Sequence, residues 1–500
     1  MAIGYFPEGA RRFFRGKSRS EIRASKNLGV VDKTHEFDAT GVFRDPELER
    51  LDAYYERRQY AQLPKWADME GPNGEFIPVR CRAPRFNYPY SKNLSQRVGA
   101  KLVGKSVFPT LKIEDSPNDQ AFFAAIIKQA KLRARLQEPM RRLVNTGSVF
   151  VRFYIQEGAY KVEWYHSKYC YPMFRGNGEL LMVRIQYVYT DADDKDTNGN
   201  PKRKWYRMDL GADEEILYDN PEYKVNEEPQ FQAVASVETG MGFVQGEWFR
   251  TCESQYSPDG YSVVGDVLEF VDELNYSLSQ SSTAVGYNQD PQLVFNKMTE
   301  EETQEVIRSA TKSWNLGREG EAKFIESSLN GVQRAMELRD KIRSNIGELT
   351  RVIIHDPEKI VGNAQSAKAM EVLHGPLMDL IDELREPVGD GLNKLVQKMA
   401  VATEIAASQG VQIPLEVPPG YGIQSLNSEV DWPPIFQETM DDLQKKVQVA
   451  NSAKTGGLIA PDTAARFVQK DFGVEDVDAE LAKVAEEQKA QAALNPYGGF

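Results

Sequence analysis

The chain has 500 residues, of which 41% are hydrophobic and 10% aromatic, and its formal net charge is −13. This composition is that of an ordered soluble protein with material for about three folded units, and no apolar run is long enough to span a membrane. The acidic charge disfavours a sequence-specific nucleic-acid binder. The acidic charge is compatible with a protein that surrounds DNA without binding it tightly. It is equally compatible with a charge that only keeps the protein soluble.

The cysteines and the first residues bear on the cellular compartment. Cys81, Cys170 and Cys252 are odd in number and far apart, which argues against a disulfide framework or a CxxC metal site and indicates a reducing environment. Residues 1–7 are too short and too mixed for a signal peptide.

Residues 1–44 are predicted to form a basic N-terminal arm. Residues 11–26 contain a single acid, Glu21, and seven basic residues: Arg11, Arg12, Arg15, Lys17, Arg19, Arg23 and Lys26. Such a run is either a solvated tail or a segment that docks onto an acidic partner or nucleic acid.

Residues 45–260 are predicted to be a mixed α+β region. Helices are expected over residues 45–61, 91–103 and 117–145, the first of them with Pro46 at its first position. Aromatic and β-branched runs separated by Gly, Asn and Asp then predict an antiparallel meander joined by hairpins. The predicted strands cover residues 149–155, 160–165, 180–189, 204–210 and 214–218.

Residues 261–409 are predicted to be dominated by long helices. A first helix begins after the turn at residues 258–260, and a strand–helix–strand insert at about 288–328 separates it from a second helix. A loop at residues 355–365 leads to a third helix, from 366 to about 408, in which Pro376 and Pro387 predict kinks. A C-terminal helical unit follows a Pro-rich linker, with Gly456 and Gly457 ending one helix and Pro461 beginning the next.

Apolar residues recur at helical spacing in all three long helices. In the first they are Val264, Val267, Leu268, Val271, Leu274 and Leu278. In the second they are Val332, Met336, Ile342, Ile346, Leu349 and Ile353, with an interruption at Arg339. In the third they are Met370, Leu373, Leu377, Leu380, Leu384, Val388, Leu392, Leu395 and Met399. No catalytic constellation accompanies these helices, so we predict a structural component without a cofactor or a metal.

One segment of the sequence matches a nucleotide-binding motif. Residues 99–106 match the phosphate-loop pattern G-x-x-x-x-G-K-[ST]. In a real phosphate loop a buried strand enters and a helix leaves, so that backbone N–H groups point at phosphate. Here a predicted helix enters and an extended segment leaves, which disfavours nucleotide binding. His35, His166, His355 and His374 show no metal-ligand spacing.

The order of elements resembles the portal proteins of tailed double-stranded DNA bacteriophages, in the siphophage style. The resemblance covers roughly residues 45–485, and the ordered set of motifs carries it rather than any single one. The matching segments are Leu51–Tyr55, Asn93–Ser106, Asn145–Val151, Gln365–Met370 and Gly457–Thr463. Ala367 and Ala460 depart from the family pattern, the latter removing a capping Ser.

This resemblance implies a portal fold with wing, stem, clip and crown, assembled as a ring of twelve subunits around a DNA channel at one capsid vertex. The implied divisions are the wing (45–260), stem helix (261–286), clip (287–328), stem helix (329–353), tunnel loop (354–365), long kinked helix (366–409), crown (410–490) and flexible tail (491–500). The implied partners are double-stranded DNA, contacted without sequence specificity, terminase, major capsid or scaffold protein, and a head–tail adaptor. The location is the virion, and the host cytoplasm during assembly.

Three sets of candidate functional residues follow. The tunnel loop supplies channel residues, with Lys359 giving weak phosphate contact: Asp356, Glu358, Lys359, Asn363 and Gln365. The clip offers acidic positions that face either a docking partner or only solvent: Glu300, Glu301, Glu302 and Glu305. The stem has both charge signs on one helix, available for pairing between adjacent subunits: Arg334, Glu337, Arg339, Asp340, Lys341 and Arg343.

Two other functions remain open at this stage. One is a packaging ATPase that uses residues 99–106, and the other is a head–tail adaptor without a DNA channel. The reversed helix–loop–strand order argues against the first. The helix–insert–helix arrangement argues against the second, because adaptors are usually shorter and lack it.

Overall fold

The computed structural model describes residues 44–104, 107–113, 117–156, 158–176, 178–224, 227–253, 257–289, 292–296, 321–325, 330–352, 374–408, 410–411, 413, 415, 428–435, 440–472, 480–484 and 486. The chain divides into two compact units, one formed by residues 1–354 with 376–433 and the other by residues 355–375 with 434–500. The predicted α+β class is confirmed, with helices making up about half of the described chain.

Five helices open the described part of the first unit. They are α1 (Pro46–Tyr55), α2 (Tyr90–Val103), α3 (Pro117–Gln129), α4 (Leu132–Arg135) and α5 (Gln137–Thr146). The Asp45 side chain caps α1 by accepting from the Glu47 N–H at 2.8 Å.

Two of the predicted helices differ from the observed ones. Helix α1 ends at Tyr55 rather than at residue 61, because Arg57 adopts a left-handed conformation with φ 60° that a helix cannot contain. The continuous helix predicted over residues 117–145 is divided into three. The first break lies at Lys131, which is also left-handed, with φ 52°, and the second lies at Leu136, with φ −85° and ψ −7°. Apolar periodicity does not report such single-residue breaks.

Two antiparallel sheets replace the single predicted meander. The strands are β2 (Ser148–Gln156), β3 (Ala159–His166), β4 (Cys170–Phe174), β5 (Leu180–Lys195), β6 (Pro201–Gly211), β7 (Glu214–Tyr218), β8 (Ala233–Glu238) and β9 (Gly246–Arg250). One sheet has the order β3-β2-β9 and the other β4-β5-β6-β7-β8. The meander prediction holds for the second sheet. It fails for the first, because β9 returns from a distance to pair with β2.

A buried asparagine and a glycine explain one of the family-like motifs. Asn145, fully buried, accepts from the Ser91 hydroxyl at 2.6 Å and donates to the Leu51 carbonyl at 3.1 Å, so it connects α5 with α2 and α1. Gly147 then ends α5 with φ 84°, and a Cβ there would lie 2.6 Å from the Gly260 carbonyl oxygen. Only glycine suits both the left-handed backbone and this close approach.

A buried ionic cluster holds α1 against strand β3 and the turn that follows it. The Lys168 ammonium lies 2.5 Å from Asp52 and 2.7 Å from Glu49, and Arg142 lies 2.6 Å from Asp52. Burial alone would raise the pKa of Asp52, but His166 and Lys168 outweigh it and hold that pKa well below the usual range. Asp52 and Lys168 are therefore both charged in the folded protein.

The long helical elements follow. They are α6 (Leu268–Gln289), the hairpin strands β10 (Gln292–Asn296) and β11 (Glu321–Ile325), α7 (Asn330–Leu349) and α8 (Gly375–Ser408). Helix α6 begins later than predicted: a 3-10 turn at Gly265–Val267 precedes it, and residues 261–264 are not helical. The two strands predicted in the insert are present, and they pair antiparallel. The helix predicted between them lies outside the described residues.

Helix α8 packs closely against strand β9 and against Trp432 at two glycines. A Cβ on Gly391 would lie 2.8 Å from the Phe249 ring of β9, whereas one on Gly389 would lie 3.4 Å from Trp432. Pro387 lies inside α8, while Pro376 lies in the first turn of the described helix. A short strand, β12 (Ser428–Asp431), pairs with β1 (Thr110–Ile113), a long-range contact that the sequence did not predict.

The second unit is described mainly by two helices. They are α9 (Met440–Thr455) and α10 (Pro461–Phe472). Gly457, with φ 69°, follows the end of α9, and Pro461 begins α10, as predicted.

The phosphate-loop-like string has the reversed order that the sequence indicated. Gly99 lies inside helix α2, and a Cβ there would lie about 3 Å from the backbone of Arg141 in α5. The glycine therefore serves helix packing. The described segment after the string enters strand β1 rather than a helix.

Candidate subunit interface

Helices α6 and α7 pack through one apolar cluster. Its buried members are Val267, Val271, Leu274, Ile342 and Ile346, with Tyr90, Phe270 and Leu278 at its edge. The beginning of α6 meets the end of α7, so the two helices run antiparallel. The four-residue spacing of the buried isoleucines places both on one face of α7.

The rest of the α7 stripe is not buried in the single chain. Met336 and Leu338 are each 47% exposed, and Leu349 is 55% exposed. The apolar stripe predicted for this helix is therefore only partly covered: Ile342 and Ile346 pack against α6, whereas Met336 and Leu349 remain exposed. The burial of Val332 is not described, and Ile353 lies outside the described residues.

The six charged residues predicted on this helix are all described. Arg334, Glu337, Asp340 and Lys341 are exposed, and Arg339 and Arg343 are half-buried. Arg339 contacts its neighbour Asp340 at 2.8 Å, a pair that is 37% and 63% exposed and so contributes little to stability. Pairing between subunits, as proposed for this set, stays a prediction.

A pocket of roughly 330 Å³ lies where α2, α6 and α7 meet. Its floor is apolar, with Leu94, Leu274 and Val352, and Tyr88 and Tyr90 form an aromatic wall. Arg97, Arg339 and Arg343 bring positive charge to its edge. The pocket adjoins the exposed face of α7, so apolar surface and positive charge occur together there.

A buried carboxylate fixes α6 to α1 and to the segment that follows α1. Asp272 accepts from the Tyr54 hydroxyl at 2.6 Å and from the Tyr60 hydroxyl at 2.5 Å. Asn275, one turn further along α6, donates to the Tyr60 hydroxyl at 3.2 Å. Burial raises the pKa of Asp272 to about 6, although both tyrosine hydrogen bonds favour the ionised form.

The same helix has three more polar attachments. Arg80 lies 2.5 Å from Glu273, the Tyr276 hydroxyl donates to the Arg82 carbonyl at 2.8 Å, and the Trp66 indole donates to Thr283 at 3.2 Å. The polar side of α6 is therefore held by residues 54–88, while its apolar side packs against α7. This arrangement sets the orientation of the outward face of α7.

Sequence reasoning missed this attachment. Tyr54 and Tyr55 are both buried. The role of Asp272 was not identified, although a carboxylate four residues after Leu268, within an apolar stripe, was a visible signal. Residues 268–273 belong to α6, as the apolar spacing in this segment predicted.

The other two sets of predicted site residues lie outside the described residues. This applies to the tunnel loop, with Asp356, Glu358, Lys359, Asn363 and Gln365, and to the clip, with Glu300, Glu301, Glu302 and Glu305. Both sets stay predictions. In the described part of the chain, no helix combines the length and the apolar character needed to cross a membrane.

Comparisons with known proteins give one match over most of the chain. The family model described as "Phage portal protein, SPP1 Gp6-like" matches residues 46–493. No curated protein matches.

Two solved structures are among those that are similar. The neck of a native GTA particle, computed with C12 symmetry, is 10% identical with a TM-score of 0.38, covering 76% of this chain and 89% of that one. The neck of an empty GTA particle, computed with C6 symmetry, is 11% identical with a TM-score of 0.39, covering 85% and 94%. These scores are too low to establish a shared fold, so the assignment rests on the family match.

Proposed function

The chain belongs to the SPP1 Gp6-like family of phage portal proteins, and on that basis we propose that twelve copies form a ring around a DNA channel at one vertex of the capsid. The family consists of structural proteins of the virion rather than enzymes. Double-stranded DNA enters through this ring during packaging and leaves through it at ejection. Terminase docks on the clip first, and head–tail connector proteins take its place later.

The observation that best supports assembly is the exposed apolar face of α7. Met336, Leu338 and Leu349 together leave a substantial apolar surface in water, on a helix that α6 covers only around Ile342 and Ile346. Such a face on a soluble chain marks a contact with another molecule. In a ring the contact is heterologous, so this face meets a different surface of the next copy.

The charged residues of α7 restrict the register in which adjacent subunits can make this contact. Arg334, Lys341 and Arg343 alternate with Glu337 and Asp340 along the same helix. One exposed ion pair contributes little. A closed ring repeats every pair at each interface, and unfavourable registers place like charges together.

The tunnel loop and the clip complete the proposed conduit. Lys359 contacts passing phosphates weakly, and the nearby acids Asp356 and Glu358 limit its grip, so DNA moves without a sequence-specific hold. Asn363 and Gln365 add neutral contacts. In the clip, Glu300, Glu301, Glu302 and Glu305 face the docking proteins. The major capsid or scaffold protein surrounds the ring.

The two alternative functions are less well supported. A packaging ATPase would need Gly99 in a phosphate-binding loop, but Gly99 lies inside a helix against α5. A head–tail adaptor is disfavoured because the portal family model extends over residues 46–493.

The proposal is tested by the assembly of purified protein. We expect a ring with a central hole in negative-stain images, and a mass by mass photometry near twelve times 56.5 kDa. Met336→Arg places a charge in the proposed contact and is expected to lower the fraction of protein in rings by about tenfold. Met69→Arg is the matched control, because Met69 is 48% exposed and lies outside α7.

Two outcomes would contradict the proposal. Equal ring fractions for Met336→Arg and the unmodified protein would remove α7 from the contact. A folded monomer without rings, together with measurable ATP turnover, would favour the ATPase instead.

A further inference from the structure

The outer edge of the five-stranded sheet is exposed over its whole length. Strand β8 is the last in the order β4-β5-β6-β7-β8, and all six of its residues are exposed. Among the described residues, its only strand partner is β7. Half of the backbone N–H and C=O groups of an edge strand point away from the sheet and can bind another strand.

This edge lacks the features that normally prevent such pairing. Strand β8 contains no proline, lysine or arginine, and Val234 and Val237 are 67% and 59% exposed. Leu217 in the adjacent strand β7 is 38% exposed and faces the same side as Val237. An apolar, unprotected edge of this kind is a site for strand addition.

The chain around this edge is rich in acids, and Glu238 lies in β8 itself. Residues 213–238 contain one basic residue, Lys224, and eight acids: Asp213, Glu214, Glu215, Asp219, Glu222, Glu227, Glu228 and Glu238. Glu215 pairs with Arg152 at 2.7 Å and Glu227 with Lys224 at 3.4 Å. Glu228 and Glu238 are exposed and have no ion pair within the described residues. These carboxylates therefore favour a basic occupant.

One segment of the chain has the matching chemistry. Residues 11–26 contain seven basic residues and one acid, interspersed with Phe13, Phe14 and Ile22. Arginine would neutralise the edge carboxylates, and the two phenylalanines would cover the exposed valines.

The arm is also long enough to reach the edge. Its end is fixed beside β4, because the Arg44 N–H donates to the Lys168 carbonyl at 2.9 Å and the Arg44 guanidinium lies 2.6 Å from Asp259. Strand β8 is four strands from β4 in the sheet, or about 19 Å at the usual strand spacing. The chain between residues 26 and 44 spans up to about 60 Å when extended.

We propose that the basic arm, residues 11–26, docks along the exposed edge of β8 and adds its backbone to the five-stranded sheet. We assign this position to the chain's own arm rather than to DNA or another protein. The arm has basic and apolar residues that complement the edge, and its connection to residue 44 is long enough to reach it. The arm then neutralises the acidic edge and prevents it from pairing with unrelated strands.

Hydrogen–deuterium exchange on the purified full chain tests the docking. We expect the amides of residues 233–238 to exchange about tenfold more slowly in the full chain than in a variant lacking residues 1–26. Glu228→Arg with Glu238→Arg should remove this protection in the full-length protein. Adding Arg12→Glu and Arg15→Glu to that double variant should restore it. About 0.5 M salt should weaken it by screening.

A control variant with the same change in net charge separates the effect of the β8 edge from that of overall charge. Asp193→Arg with Glu486→Arg changes the net charge by the same amount at exposed positions elsewhere, and should leave the protection unchanged. Equal exchange of residues 233–238 with and without the arm would overturn the proposal. So would an arm that binds a 30-base-pair DNA duplex, used as a probe, while residues 233–238 stay unprotected in the free protein.

Discussion

The attachment of α6 through Asp272 predicts a stability loss that depends on pH. Tyr54→Phe removes the hydroxyl that lies 2.6 Å from the Asp272 carboxylate and leaves the buried ring in place. At about pH 7.5 the carboxylate is ionised, and losing a hydrogen bond to a buried charge costs about 1.5–3 kcal/mol of the free energy of unfolding. At about pH 5 the carboxyl is largely neutral, and the loss falls to about 0.5–1.5 kcal/mol.

The direction of this pH dependence follows from the raised pKa of Asp272. The pKa of Asp272 is about 6 in the folded protein against an ordinary value of 3.8, so the folded state binds the proton more tightly. The contribution of this group is therefore fully present below the unfolded pKa and is lost as the pH rises through about 6. The hydrogen bond from Tyr54 favours the ionised form of Asp272, so removing it raises the pKa of Asp272 further. The loss in the free energy of unfolding is therefore larger at the higher pH.

Urea unfolding at the two pH values measures the effect. Tryptophan fluorescence is a suitable signal, because the Trp66 indole donates to Thr283 of α6 at 3.2 Å and so reports on this helix. Tyr276→Phe is the matched control: the Tyr276 hydroxyl donates to the neutral Arg82 carbonyl at 2.8 Å. Its loss should be about 1 kcal/mol at both pH values. Equal losses for Tyr54→Phe at both pH values would refute the reasoning.

Three further predictions concern stability and thiol chemistry. Lys168→Met removes the cation between Glu49 and Asp52 and should lower the free energy of unfolding by about 3–5 kcal/mol, measured by urea unfolding; a loss below about 1 kcal/mol would show that the cluster is hydrated. Gly391→Ala should lower it by about 1–3 kcal/mol in the same assay, because its Cβ would lie 2.8 Å from an aromatic ring, while Gly389→Ala, at 3.4 Å, should cost less. Of the three thiols, Cys252 alone is partly exposed and should react first with a thiol reagent in native protein; equal rates for all three would contradict this.

The sequence by itself determined the α+β fold class, the protein family and the order of the long helices along the chain. Apolar residues at three- and four-residue spacing identify α6, α7 and α8, because helical periodicity is a local property of the chain. The hairpin turns between β2 and β3 and between β5 and β6 were predicted for the same reason. The likeness to portal proteins rested on an ordered set of short motifs, and the family match over residues 46–493 confirms it.

The tertiary structure decided which faces of those helices are buried and which long-range pairs form. Ile342 is buried and Met336 exposed on one helix because α6 covers only part of α7. The pairings of β2 with β9 and of β1 with β12 join distant segments, and no local pattern specifies such partners. Asp272 is likewise ordinary in sequence. It becomes a buried, tyrosine-bound carboxylate with a raised pKa only because folding brings α1 against α6 and removes water from between them.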